Sequence, residues 1–137
     1  MMRQVLYVGV VKLKETNCPC ESGRIYAKCC APFHQGAAAE TAEQLMRSRY
    51  SAFVLNLHAY LLATWHSSTR PATLGDEEPV RWIGLKIKDA QTQALHAEVE
   101  FIARYKVGGK AWKLHERSRF VFEEGRWYYI DGDMLES

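Results

Sequence analysis

The sequence predicts an α+β chain in two parts, a small zinc-bound cysteine module followed by N-terminal helices packed on a curved antiparallel sheet. Three observations predict it. All four cysteines fall between Cys18 and Cys30, apolar residues recur at helical spacing after Thr41, and from Arg81 the apolar period shifts to two. The composition, 47% hydrophobic and 25% charged over 137 residues, is that of one globular domain with a small appendage, which excludes disorder and fibrous repeats. Eighteen basic against 16 acidic residues leave a net charge of +2, too little to gather nucleic acid or an anionic membrane by a broad field.

Residues 1–16 read as an N-terminal extension. Its apolar run, Val5 to Val11, is far short of the roughly 20 residues of a membrane span. Broken by Gly9 and followed by Lys12, Lys14 and Glu15 without a small-residue cleavage site, it does not make a signal peptide, and a cytoplasmic protein is expected. The β-branched residues suit a strand from Gln4 to Leu13.

Residues 17–36 form the predicted metal module. Cysteines that staple a secreted fold are spread along the chain, whereas Cys18, Cys20, Cys29 and Cys30 form two tight pairs separated by eight residues. A tetrahedral zinc site needs such pairs brought together by a chain reversal, which Ser22-Gly23 can supply. Pro19 stiffens the first pair, and Ser22 is placed to cap a short helix from Arg24 to Cys29. Four protein ligands close the site and make it structural instead of catalytic. His34 is the alternative fourth ligand in place of Cys30, and a redox switch through the vicinal Cys29 and Cys30 is the competing chemistry. A four-thiolate zinc centre carries a formal charge of about −2. Arg24 and Lys28 can neutralise it while offering a basic face, or can be ordinary solvated residues.

The stretch from Cys18 through Pro19, Cys20, Glu21, Ser22 and Gly23 to Cys29-Cys30 resembles the SEC-C motif known from the C-terminal tail of the bacterial preprotein translocase ATPase. It departs from that pattern at Glu21, where glycine is common, and at Cys30, where the ATPase has histidine. The resemblance implies zinc binding and a small protein-docking element.

Residues 37–137 form the predicted roll. A helix opens at Thr41 with Gln44 completing a capping box, and Leu45, Met46, Tyr50, Phe53, Val54 and Leu57 form its buried stripe. Arg47, Ser48 and Arg49 are expected to point largely elsewhere. A second helix runs from about His58 to Trp65 and stops before Pro71. Strands follow near Arg81–Lys88, Ala94–Lys106, Ala111–Glu123 and Arg126–Asp131, with turns at Asp89-Ala90-Gln91, Gly108-Gly109 and Glu124-Gly125. Turns this short make an antiparallel meander, whose apolar face the helices must cover. Such an order suits a cystatin-like, or nuclear-transport-factor-2-like, roll. Thr41 to Phe53, Tyr60 to His66, His115 to Phe120 and Trp127 to Gly132 are similar to the YchJ-like family of uncharacterised bacterial proteins, which pairs an N-terminal SEC-C motif with this roll.

A second site is expected on the third strand, where Trp112, Leu114, Glu116, Ser118, Phe120 and Phe122 share one face. A carboxylate among apolar groups needs a partner, which Arg47, Arg49, His66 or a ligand could provide. Tyr50, Trp65, His66, Glu116 and Ser118 are the expected pocket residues for a small-molecule ligand. Glu116 and His66 are the candidate acid and base if the roll is a small lyase, isomerase or hydrolase. The plainer reading has Glu116 bridging an arginine of the first helix to the sheet, and a bulge near Glu116 would instead face His115, Arg117 and Arg119 inward. The aromatic residues from Trp65 to Tyr129 read as core, so nucleic acid is not an expected partner. The expectation is a zinc-stabilised binding protein with a protein partner at the cysteine module.

Overall fold

The computed structural model describes residues 16–74 and 80–135. The proposed strand from Gln4 to Leu13 lies outside the described residues. A single 3-10 turn, Tyr26–Lys28, leads into a one-turn helix α1 (Ala31–His34), then α2 (Ala42–Leu55) and α3 (His58–Ala63). Four strands follow as an antiparallel meander in the order β1 (Arg81–Gln93), β2 (His96–Val107), β3 (Lys110–Glu123) and β4 (Arg126–Met134).

Helix α2 begins where the cap signal places it. The Thr41 hydroxyl accepts from the Gln44 amide at 3.1 Å, while the Gln44 side chain reaches back one residue further than a standard capping box, to the Glu40 amide at 2.7 Å. Asn56 ends the helix in the left-handed conformation at φ 59°, which asparagine tolerates better than most residues. Phe53 is 39% exposed, and Leu57 lies beyond the helix end. The expectation that Ser48 and Arg49 point away from the interior fails, because both are buried. The helix has neighbours on more than one side: β1, β2 and β4 beneath it, and α1 and α3 beside it. An amphipathic stripe underestimates the buried width of such a helix.

The sheet turns twice through two residues in the left-handed region, Gly108-Gly109 and Glu124-Gly125, the geometry that matches strand twist in tight hairpins. The expected turn at Asp89-Ala90-Gln91 is instead strand, and β1 continues to Gln93 before turning at Ala94-Leu95. Register shifts at Ile83 and Lys88 break its alternation twice, which disguises a long curved strand as a short one followed by a loop. In β3 the alternation holds. The extra residue opposite it, Ile130, is on β4, so Glu116, Ser118 and Phe120 keep the concave face. The other face of β3 carries charge pairs: His115 with Glu100 at 2.7 Å, Arg117 with Glu98, Asp89 and Glu100, and Arg119 with Asp131 and Asp133 at 2.6 and 2.7 Å.

One apolar core joins both parts of the chain. Cys18, Cys20, Tyr26, Cys30 and Ala31 pack in the same cluster as Leu45, Met46, Tyr50, Val99, Phe101, Phe120 and Trp127. Helix α2 stands between the cysteines and the concave face of the sheet, and it supplies side chains to both.

Candidate functional site

The cysteine module is a short antiparallel hairpin. Asn17 bridges Ile25, the Cys18 amide donates to Arg24 O at 2.8 Å, and the Glu21 amide donates to Cys18 O at 3.1 Å. Glu21 sits at φ 63°, the conformation that glycine adopts at no steric cost, so the departure from the usual motif leaves the turn in place. The expected helix from Arg24 is only the 3-10 turn Tyr26–Lys28, and Ser22 caps no helix. Its hydroxyl accepts from the Arg24 amide at 3.2 Å and lies 3.1 Å from Cys29 Sγ. Pairing of Arg24, Ile25 and Tyr26 with the first arm of the hairpin keeps the start of the expected helix extended, so only a 3-10 turn remains before Cys29.

This geometry gathers the four thiols. Their sulfur atoms all lie within 4.8 Å of one another, with Cys20 Sγ 3.5 Å from Cys29 Sγ and Cys29 Sγ 4.0 Å from Cys30 Sγ. Tetrahedral zinc–sulfur bonds of about 2.3 Å imply sulfur–sulfur edges of about 3.8 Å, so the donors are already spaced for a metal ion. Cys18, Cys20 and Cys30 are buried, and Cys29 is the partly open member. Hydrogen bonds from Cys18 and Cys30 hold the Cys20 thiol far below its usual range, while burial pushes Cys29 up to about 11 and bonding to Cys18 and Cys20 pushes Cys30 higher still. Four thiols this close cannot all ionise without a cation among them.

His34, the alternative to Cys30, stands outside the thiol cluster. Its Nδ1 meets the Tyr26 hydroxyl at 2.6 Å and its Nε2 meets Ser48 O at 2.8 Å, which engages both ring nitrogens away from the sulfurs. Sequence reasoning missed what α2 adds. The buried Ser51 hydroxyl lies 3.5 Å from Cys18 Sγ and 3.4 Å from Cys30 Sγ, and Arg47 Nη1 donates to Cys20 O at 2.9 Å. No local spacing points to residues that approach from a separate helix. Arg24 folds back to bond Lys28 O, and both residues are exposed on the module surface.

On the other side of α2, a cavity of about 140 Å³ separates the helix from the concave face of the sheet. Tyr50, Trp65, Glu116 and Ser118 line it as expected, joined by Tyr129 and by Arg49, which the sequence offered only as one of several possible partners for Glu116. His66 does not belong to it. Residues 64–66 pair with β4 through Tyr129, and side chains alternate along such a segment, so Trp65 turns in and His66 turns out. His66 meets Glu123 at 2.5 Å and Ser68 at 2.7 Å, so the Glu116–His66 acid–base pair is not assembled.

Glu116 also lacks the expected arginine among the described residues. Its carboxylate accepts from the Ser118 hydroxyl at 2.5 Å and the Tyr129 hydroxyl at 3.5 Å. Gly132, opposite Ser118 on β4, makes room for it: a Cβ there would fall 2.3 Å from Glu116 Oε2.

A family model described as YchJ, middle NTF2-like domain, matches residues 41–132, the helices and sheet that frame this cavity. The chain belongs to the YchJ-like family. A UPF0225 protein of Ralstonia nicotianae is 53% identical over 131 residues, covering 85% of this chain and 90% of its own, and one from Bordetella pertussis is 55% identical over 123 residues, covering 86% and 92%. Two solved structures share the fold. A SEC-C motif containing protein from Rhodopseudomonas palustris superposes with a TM-score of 0.79 at 34% identity, covering 88% of this chain and all of the other. Another from Psychrobacter arcticus gives 0.75 at 30% identity, covering 92% and 86%. This YchJ-like chain therefore joins a SEC-C cysteine cluster able to hold a metal ion to an NTF2-like roll. No helix among the described residues is long and apolar enough to cross a membrane.

Proposed function

We propose that this YchJ-like protein is a cytoplasmic zinc-binding protein whose cysteine module serves as a protein-docking element. The observation that carries the reading is the convergence of Cys18, Cys20, Cys29 and Cys30 within 4.8 Å, three of them buried. Sulfur donors favour zinc over harder cations, and four of them close the coordination shell, so the ion would supply a crosslink and no reaction. Ser51 and Ser22 orient the sulfurs, and Arg47 fixes the Cys20 carbonyl, so the module is held against α2 in one pose. The exposed Arg24 and Lys28 beside it offer a basic rim to a partner.

Metal content of protein purified without added zinc, by elemental mass spectrometry with a parallel thiol titration, tests the metal reading. The expected result is one zinc per chain with the thiols protected. Absence of metal together with freely reactive or oxidised Cys29 and Cys30 overturns it in favour of thiol redox chemistry. Docking is tested by crosslinking from cell extract, comparing the native chain with Arg24→Glu/Lys28→Glu. An identical set of crosslinked partners sinks the docking role of that rim.

A further inference from the structure

Arg49 is the most unusual charged residue of the roll. It is 4% exposed, and burial pushes it down to about 10, which leaves it a cation at neutral pH. Among the described residues no carboxylate comes within ion-pair distance of it. Glu116, on the same cavity, acts on it only through space, and a buried charge without a direct ion pair is costly, a cost that persists mainly where a ligand offsets it.

Its hydrogen bonds are arranged on one side. Nη1 donates to Leu61 O at 2.8 Å and to Thr64 Oγ1 at 2.7 Å, which anchors the guanidinium at the end of α3. The Tyr129 ring lies 4.6 Å and the Trp65 ring 5.3 Å from its central carbon, and these fix its plane. Nε and Nη2 take no protein acceptor among the described residues, and the side chain lines the cavity. Those two nitrogens form the edge of the guanidinium whose parallel N–H bonds match the two oxygens of a carboxylate.

The remainder of the cavity narrows the ligand further. Its walls are largely apolar and aromatic, with Tyr50, Trp82 and Phe101 around the space, and Phe53 marks the side open to solvent. A dry cavity of roughly 150 Å³ accepts a benzene-sized ring, and this one measures about 140 Å³. Glu116 has one oxygen engaged by Ser118 and Tyr129, and Oε1 has no partner among the described residues, so it is an acceptor for a donor on the ligand. A phosphate dianion would confront that acceptor, whereas a monocarboxylate carrying a distal hydroxyl or amine satisfies both poles.

We infer that the cavity between α2 and the concave sheet is a binding site for a small ring-bearing carboxylate with a hydrogen-bond donor, its carboxylate on Arg49 and its donor on Glu116. The inference is independent of the metal centre, from which the cavity is separated by α2.

The test is a titration of the full chain as purified with 4-hydroxybenzoate, followed by amide and indole NMR shifts, with 4-hydroxybenzamide as the uncharged analogue of the same shape. Saturable shifts confined to residues around the cavity are expected, with the amide binding at least roughly tenfold more weakly. Arg49→Lys keeps the charge but removes the fork, and it should weaken 4-hydroxybenzoate by a similar factor. Glu116→Gln should weaken 4-hydroxybenzoate relative to benzoate. Circular dichroism and thermal unfolding of both variants establish that they are folded. Equal binding of acid and amide, shifts at the cysteine module instead, or no saturable shift at millimolar probe would each overturn the assignment.

Discussion

The two faces of α2 solve the burial of polar atoms in opposite ways. Toward the module, Ser51 and Arg47 bond groups of the cysteine cluster, and the sulfurs lie against one another. Toward the sheet, Arg49 and Glu116 each keep part of their bonding capacity aimed into a cavity. A closed cluster is organised for holding the chain together, whereas a half-satisfied pair is organised for something that enters. The contrast teaches that burial alone does not separate a structural site from a binding site; the direction of the unused donors and acceptors does.

The largest effect should come from opening the closed side. Cys20→Ser removes one donor from a buried cluster that belongs to the common core, so the chain should lose the capacity to hold a metal ion and, if one is bound, several kcal/mol of stability, with the roll destabilised as well. Elemental analysis and thermal unfolding check this, and an unchanged melting temperature would show that the two parts are energetically separate. Next is Gly132→Ala, whose Cβ would collide with the Glu116 carboxylate. Displacing that group strands the buried Ser118 hydroxyl and should cost about 1–3 kcal/mol in denaturant unfolding, with metal content intact.

A pH series sharpens the comparison from the module side. Burial lowers the His34 pKa below 6.5 in the folded state, so the folded chain binds fewer protons than the unfolded one in acid. The stability that neutral His34 contributes is present above pH 6.5 and lost as the pH falls through the folded value. His34→Gln should therefore flatten the acid limb of stability against pH below 6.5, and identical limbs would refute this. Thr41→Ala, which removes the cap of the shared helix, should cost about 1 kcal/mol at the denaturation midpoint. Smallest is Glu21→Gly. Relief of the left-handed backbone is partly offset by greater freedom of the unfolded chain, so a gain of at most about 0.5 kcal/mol is expected in the same measurement.

The module was legible because its chemistry is local: four cysteines within thirteen residues declare themselves without a fold. The cavity was legible only in part. Tyr50, Trp65, Glu116 and Ser118 could be read from periodicity, since the alternation of β3 is unbroken and the helical stripe passes through Tyr50. Arg49 was legible only as one of several possible partners for Glu116, because an arginine beside an apolar stripe otherwise reads as solvated unless one knows that α3 lies over it. His66 was misplaced for a related reason: adjacent residues of an extended segment face opposite ways, and the sequence does not announce that residues 64–66 extend along β4.

By itself, then, the order of residues determined the cysteine cluster, the start of α2 at Thr41 and the inward face of β3, all of which rest on short-range spacing or a local cap. Only the tertiary structure decided that Ser51 and Arg47 support the cluster, that His34 is excluded from it, and that Arg49 rather than His66 shares the cavity with Glu116. Each of these depends on which elements α2 touches on its two sides. Contacts between residues distant in the chain are set by packing, and no local pattern encodes them.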